Sequence, residues 1–259
     1  MQLIGFSTGA LALGDFASAL ELLRGTSMTA VELSALRLPE LPVLIEALPL
    51  LDLTQFSYVS VHAPSRFSAS DENRIIELLN LTEKEWPIIV HPDTIHDCSK
   101  WRVFGGQLVI ENMDRRKPLG RSAEELCQWF EKLPEARLCL DLAHVHQVDR
   151  TMTEAYRILK MFRDRVCQLH VSELDSNGHH HPLSFGSMRA FSEIESMIPP
   201  QAAIILESLS PISGTDVAAQ VSWIELEAQR ACLSLRRKDE TSSSNLPAPI
   251  NLFDRAITA

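Results

Sequence analysis

Short runs of Val, Ile and Leu recur along this chain, and most are separated by stretches with apolar residues at helical spacing. The runs are LIGFS (3–7), AVELSAL (30–36), SYVSVH (57–62), PIIVH (87–91), QLVIE (107–111), ARLCLD (136–141), CQLH (167–170) and AAIILE (202–207). Nearly continuous apolar character over four to seven residues predicts strands buried on both faces. Between them, residues 14–24 read as an amphipathic helix stopped by Gly25, and 39–51 as a weaker helix broken by prolines. Ser70 is the expected N-cap of a helix through DENRIIELLNL, which carries acidic residues in its first turn. Further helices are predicted from Ser122 to Lys132 and over 151–164, 187–197 and 214–235. The polar stretch SELDSNGHHHPLSFG (172–186) reads as a long loop.

Strands alternating with helices predict a single (β/α)8 TIM barrel, and 259 residues match the size that such a barrel requires. The barrel domain is expected over residues 1–235. Residues 236–259 are expected as a polar, Ser- and Pro-rich linker and tail with a small apolar face at NLFDRAI. No internal repeat is apparent beyond the βα unit.

Composition narrows the partners. Hydrophobic residues make up 45% and charged residues 22%, as in ordinary globular proteins. The net charge of −10, from 34 acidic and 24 basic residues, argues against broad adhesion to nucleic acid or anionic membrane. Five scattered cysteines with no C-x-x-C pair point to a reducing compartment. The start lacks a signal-like segment and no apolar run reaches membrane length, so a cytoplasmic protein is expected.

Chemistry sits at the ends of the runs. Six of them close on a residue able to bind a metal: His62, His91, Glu111, Asp141, His170 and Glu207, at intervals of 29, 20, 30, 29 and 37 residues. Parallel strands joined by helices all end on one face, so barrel closure would bring these six side chains to a small volume. One His after a strand is more often a core residue bonded to backbone. Six such residues in succession favour a metal site. His144 in DLAH belongs with them, as does one of His179, His180 and His181, with His180 preferred. Mixed imidazole and carboxylate donors suit Zn, Mn or Fe. Their number exceeds what one ion needs, so two or three divalent ions are expected, with Glu111 able to bridge a pair. Glu32, in VEL, reads as an ordinary rim residue or a substrate contact.

The motifs SVHAPS, IVHPD, VIENMD, CLDLAH, QLHVSELD and ILES resemble the strand ends of the xylose isomerase-like TIM-barrel superfamily. That superfamily includes sugar isomerases and epimerases and the endonuclease IV family of apurinic-site nucleases. The resemblance runs over roughly residues 3–233, though each motif is short. It implies that Glu111, Asp141, His170 and Glu207 hold a central ion. In the endonuclease IV branch it further implies a second ion on His62 and His91, bridged by Glu111, and a third on His144 and His180. The nucleases complete that third set with an Asp two residues before the last His. Here Gly178 stands in that place, leaving Asp175 or water as a substitute. The loop after the second run is short and lacks the nucleases' Arg-containing insertion. The Arg that epimerases often carry six residues beyond the seventh-strand His is replaced by Ser176.

Two chemistries follow. In a phosphoesterase-like hydrolase, two or three ions activate water, with Glu111 bridging and Asp141 and Glu207 holding the nucleophile. In a sugar or sugar-phosphate isomerase or epimerase, one ion polarises the carbonyl and Glu111 and Glu207 transfer the proton. Surplus ligands favour the first. The acidic charge and the missing insertion make a small phosphorylated or sugar-like substrate more fitting than DNA.

Overall fold

The Val/Ile/Leu runs become the staves of a closed barrel. In the computed structural model, which describes residues 3–83, 85–212 and 216–235, the strands are β1 Ile4–Ser7, β2 Ala30–Ser34, β3 Tyr58–His62, β4 Ile88–Val90, β5 Leu108–Glu111, β6 Arg137–Asp141 and β7 Val166–Val171. The chain then makes two short strands, β8 Glu173–Leu174 and β9 His180–His181, before the last barrel strand, β10 Ala203–Leu206. Each barrel strand pairs in parallel with its neighbours, and β10 closes onto β1. The architecture is therefore the expected (β/α)8 barrel. The segment 236–259, expected as linker and tail, lies outside the described residues.

Helices cover the outside, among them Phe16–Leu23, Glu40–Ala47, Glu72–Leu79, Ala123–Lys132, Thr153–Phe162 and Val217–Ser234. Their apolar stripes meet the outward strand residues in one large buried cluster that includes Phe6, Val61, Leu126 and Ile158. Inside the barrel, Ile89, Val109 and Cys139 form a separate small apolar cluster. Tight closure leaves no room at Gly5, where any Cβ would overlap the carbonyl of Ala30 on β2.

Two local expectations are corrected, and one motif gains a local structure. The N-cap position of the helix Glu72–Leu79 is Asp71, not Ser70, and its side chain makes no capping bond; the Ser70 hydroxyl pairs with Ser68 Oγ at 2.7 Å, and the Asp71 carboxylate accepts from the Ser68 amide and hydroxyl. The segment read as a loop after β7 contains the antiparallel pair β8–β9, which holds His180 over the barrel mouth. The DLAH motif opens a seven-residue helix, Leu142–Val148, capped by Asp141, whose Oδ1 accepts from the His144 amide at 2.7 Å.

Candidate metal centre

Strand register assembles the site in layers. Side chains two apart on a strand share a face, so each inward strand-end residue sits above another inward residue. His62 lies above Ser60, Glu111 above Val109, Asp141 above Cys139 and His170 above Gln168. Cross-strand pairing sets Asp141 level with His170. His91 and Glu207 lie one residue past the ends of β4 and β10, continuing the same inward faces over Ile89 and Ile205.

Glu111 stands at the centre. Its Oε2 lies 3.1 Å from His62 Nε2 and 3.4 Å from His91 Nε2. Its Oε1 lies 3.5 Å from His170 Nδ1, which is also 3.5 Å from Glu207 Oε2. Two donor groups result, His62–His91–Glu111 and Glu111–Asp141–His170–Glu207, and within each the ligand atoms lie within 4.8 Å of one another. All six predicted strand-end residues thus converge, and Glu111 belongs to both groups.

Outer hydrogen bonds fix which ring nitrogens face inward. The Ala63 carbonyl lies 2.7 Å from His62 Nδ1, so that nitrogen donates and Nε2 is free to bind. Glu32 Oε2 accepts from His170 Nε2 at 2.9 Å, leaving Nδ1 toward Glu111 and Glu207. Gln168 Nε2 donates to the same oxygen at 2.7 Å, and Tyr58 OH donates to Gln168 Oε1 at 2.8 Å. Asn112 Oδ1 accepts from the Asp141 amide at 2.7 Å and its Nδ2 donates to the Asp141 carbonyl at 3.0 Å, pinning the strand end that carries that carboxylate.

Glu32 is therefore neither a rim residue nor a substrate contact. It is 0% exposed and pairs with Ser60 across β2 and β3, one layer beneath His62. Its signal in the sequence was its place two residues before the end of its strand.

Burial and crowded charge perturb the site's groups in opposite directions. Burial, with the charges of Glu111 and Asp141 beside it, pushes the Glu207 carboxyl up to about 8. Burial acts the same way on Glu111 but is outweighed by His170 and His91, which hold it well below the usual carboxylate range. Burial would lower His62 and His144, yet neighbouring carboxylates raise them to about 9 and about 10. His91 is lowered, mainly by burial.

The donor set fits divalent cations. Three buried side-chain atoms of the site, His91 Nδ1, Asp141 Oδ2 and His170 Nδ1, have no hydrogen-bond partner. Leaving such atoms unpartnered costs about 1–3 kcal/mol each, a cost that coordination removes for Asp141 Oδ2 and His170 Nδ1.

His144 and His180 flank the two groups without joining them. His144 Nδ1 lies 2.9 Å from the Asn112 carbonyl, 3.2 Å from Glu111 Oε1 and 3.4 Å from Asp141 Oδ2, and its Nε2 faces Asp114 Oδ2 at 3.9 Å. His180 Nδ1 lies 2.8 Å from Ser172 Oγ and 3.8 Å from Glu207 Oε2. Asp175 is engaged elsewhere, accepting from the amides of Asn177 and His179 and approaching the His179 and His181 rings. Gly178 adopts φ +81°, and a Cβ there would overlap the Arg116 guanidinium. That guanidinium donates to Asp114 at 2.6 Å and to the Asn177 carbonyl at 2.6 Å. Where the nucleases' third set would gain an Asp, this chain places a cationic side chain. Asn112, Asp114 and Arg116 carried no warning in spacing, because their roles depend on loop conformation.

A closed parallel barrel with a buried histidine–carboxylate cluster at the C-terminal ends of its strands defines a TIM barrel with a candidate metal site. No family model matches the sequence, and neither does any curated protein. Among solved structures, a xylose isomerase-like TIM barrel protein from Mycobacterium smegmatis in complex with magnesium is 12% identical with a TM-score of 0.52, over 85% of this chain and 89% of that one. A putative xylose isomerase from Rhodospirillum rubrum is 14% identical with a TM-score of 0.42, over 83% and 79%. The chain thus has the xylose isomerase-like TIM-barrel fold that its strand-end motifs suggested. Among the described residues, no helix is long and apolar enough to cross a membrane.

Proposed function

We propose that this chain is a binuclear, divalent-metal-dependent phosphoesterase acting on a small phosphorylated substrate, with Zn, Mn or Fe as its metal. The observation that carries this reading is the membership of Glu111 in both donor groups. A bridging carboxylate between a His–His pair and an Asp–His–Glu set suits two neighbouring ions, and a single-ion enzyme has no need of His62 and His91. Ions held there supply the Lewis acidity that activates water near neutral pH and neutralises charge on phosphoryl oxygens. Glu111 would be shared between them, His62 and His91 would complete one set, and Asp141, His170 and Glu207 the other. Asp141 is held for that task by its helix-capping oxygen, which leaves Oδ2 facing the cluster. Glu207, whose side chain is 15% exposed, reaches the cavity and positions the attacking water beside Asp141. His144 and His180 then serve as cavity wall.

The test is the double variant His62→Ala/His91→Ala. Elemental analysis should give two ions per chain for the wild type and one for the variant, with phosphoester cleavage lost and the barrel still folded. An unchanged metal count would overturn the binuclear reading. The second reading, a single-metal sugar isomerase or epimerase, is favoured by one feature: the Glu111 and Glu207 carboxylates lie equally far from His170 Nδ1. Two carboxylates around one point are what proton transfer between adjacent carbons requires. A wild type holding one ion and interconverting sugars would establish it.

A further inference from the structure

The cavity above the candidate metal-binding residues, of about 210 Å³, carries three cations in its lining. Beside His144, His180 and Asp114 it is lined by Arg66, Arg116 and Lys117, in a protein whose net charge is −10. These three cations also line an adjoining cavity of about 310 Å³, so one trough runs outward from the metal ligands past them. Two of the cations are locked in place. Arg116 grips Asp114 through Nε and Nη2, and Lys117 Nζ donates to Asp93 Oδ2 at 2.7 Å. Arg66 is exposed and, among the described residues, its guanidinium has no hydrogen-bond or ion-pair partner. Asp114 and Asp93 pair with Arg116 and Lys117, so of these three cations Arg66 is the one whose charged end is left free.

A bare guanidinium beside two fixed cations is the arrangement that recognises a phosphate group, which accepts bidentate bonds from Arg and point-charge contact from Lys. Gly178 belongs to the device, because any side chain at that position would push Arg116 out of the wall. We propose that Arg66, Arg116 and Lys117 form a subsite for a second, non-reacting phosphate of the substrate. The substrate class is then a small molecule with two phosphate groups, one over the metal ligands and one in the trough. This deepens the phosphoesterase reading and rests on the same cavity.

The probe is inorganic phosphate, measured by calorimetric titration into the metal-loaded protein and again after chelator treatment. Binding should survive chelation and weaken at least tenfold in Arg66→Ala, the loss expected for a hydrogen bond to a charged group. Arg66 is solvent-exposed and unpaired, so this variant folds as the wild type does. Arg66→Lys should recover part of the affinity by restoring charge without the fork. Gly178→Ala should weaken phosphate independently by displacing Arg116, with metal content unchanged. Phosphate binding that vanishes with the metals, or that is equal in wild type and Arg66→Ala, overturns the subsite. If phosphate binding depends on Arg66 while no phosphoester is cleaved, the subsite stands and the hydrolytic reading fails.

Discussion

Replacing Glu32 with Gln keeps the shape of the side chain and removes its charge. The Glu32 carboxylate is fully buried and accepts from His170 Nε2 at 2.9 Å and Gln168 Nε2 at 2.7 Å. It holds the His170 proton on Nε2 and so keeps Nδ1 available as a ligand atom. A hydrogen bond to a charged acceptor contributes about 1.5–3 kcal/mol, and a factor of ten in an equilibrium is about 1.4 kcal/mol. Metal affinity at the Asp141–His170–Glu207 set should therefore fall roughly 10- to 100-fold, as is typical when a ligating His loses its carboxylate partner. Competition against a chromophoric chelator at fixed pH measures this directly, with circular dichroism confirming that the barrel is intact. In the His170→Ala background the same substitution should change affinity by less than about twofold, because two residues acting as one unit are not additive. A folded Glu32→Gln protein that binds metal as the wild type does would refute the reasoning. So would an equal loss in both backgrounds, since the Glu32 charge would then act on the ions through space rather than through the imidazole.

Two further predictions concern carboxylates outside the metal ligands. Burial would raise the Glu72 carboxyl, but bonds from Trp101 Nε1 and the amides of Asp97 and His96 outweigh it and hold it below its ordinary 4.5. A depressed carboxyl stabilises the fold above its unfolded value and loses that contribution as pH falls through the folded one, so the advantage of wild type over Glu72→Gln in urea should be full at neutrality and shrink below pH 4.5; an advantage undiminished near pH ~3 would contradict it. Glu227 is buried and accepts from the Leu183 amide at 2.6 Å and Ser208 Oγ at 2.7 Å, tying the last helix to the loops after β9 and β10. Glu227→Ala leaves those donors unpartnered at about 1–3 kcal/mol each, which for a protein of this size lowers the melting temperature by roughly 2–4 °C per kcal/mol, with metal content retained.

The eight strands were legible because burial on both faces leaves long Val/Ile/Leu runs, as in SYVSVH and AAIILE. The candidate metal-binding residues stood out because strand ends share a face, which makes a charged residue closing an apolar run conspicuous. What escaped depends on local geometry that a residue string does not carry. Ser70 and Asp71 are both good caps, yet both side chains turn back to Ser68 and neither caps the helix. The β8–β9 pair is two residues on each side and has no alternating run to announce it. Arg116 lies over Gly178 because that glycine takes a positive φ, and nothing in DSNGHHH says which distant side chain fills the space.

Glu32 shows the deeper reason why ligands and their supports are unequally visible. Both kinds of residue are inward-facing acids on a strand, and they differ only in depth. In register, Ser34 on β2 is level with His62, while Glu32 is level with Ser60, so Glu32 sits one layer below the ligands. From β7, Gln168 occupies the layer under His170 and meets Glu32 there. Depth is thus set by how far each strand extends past a shared level, and that offset comes from cross-strand pairing rather than from any single run. A strand that ends on its acid places it where an ion can be reached. A strand that continues two residues further, as AVELS does, buries the same acid beneath the site, where it can act only through the imidazole above it. The layer in which a charged residue falls, more than its type, decides whether it binds the ion or orients what does.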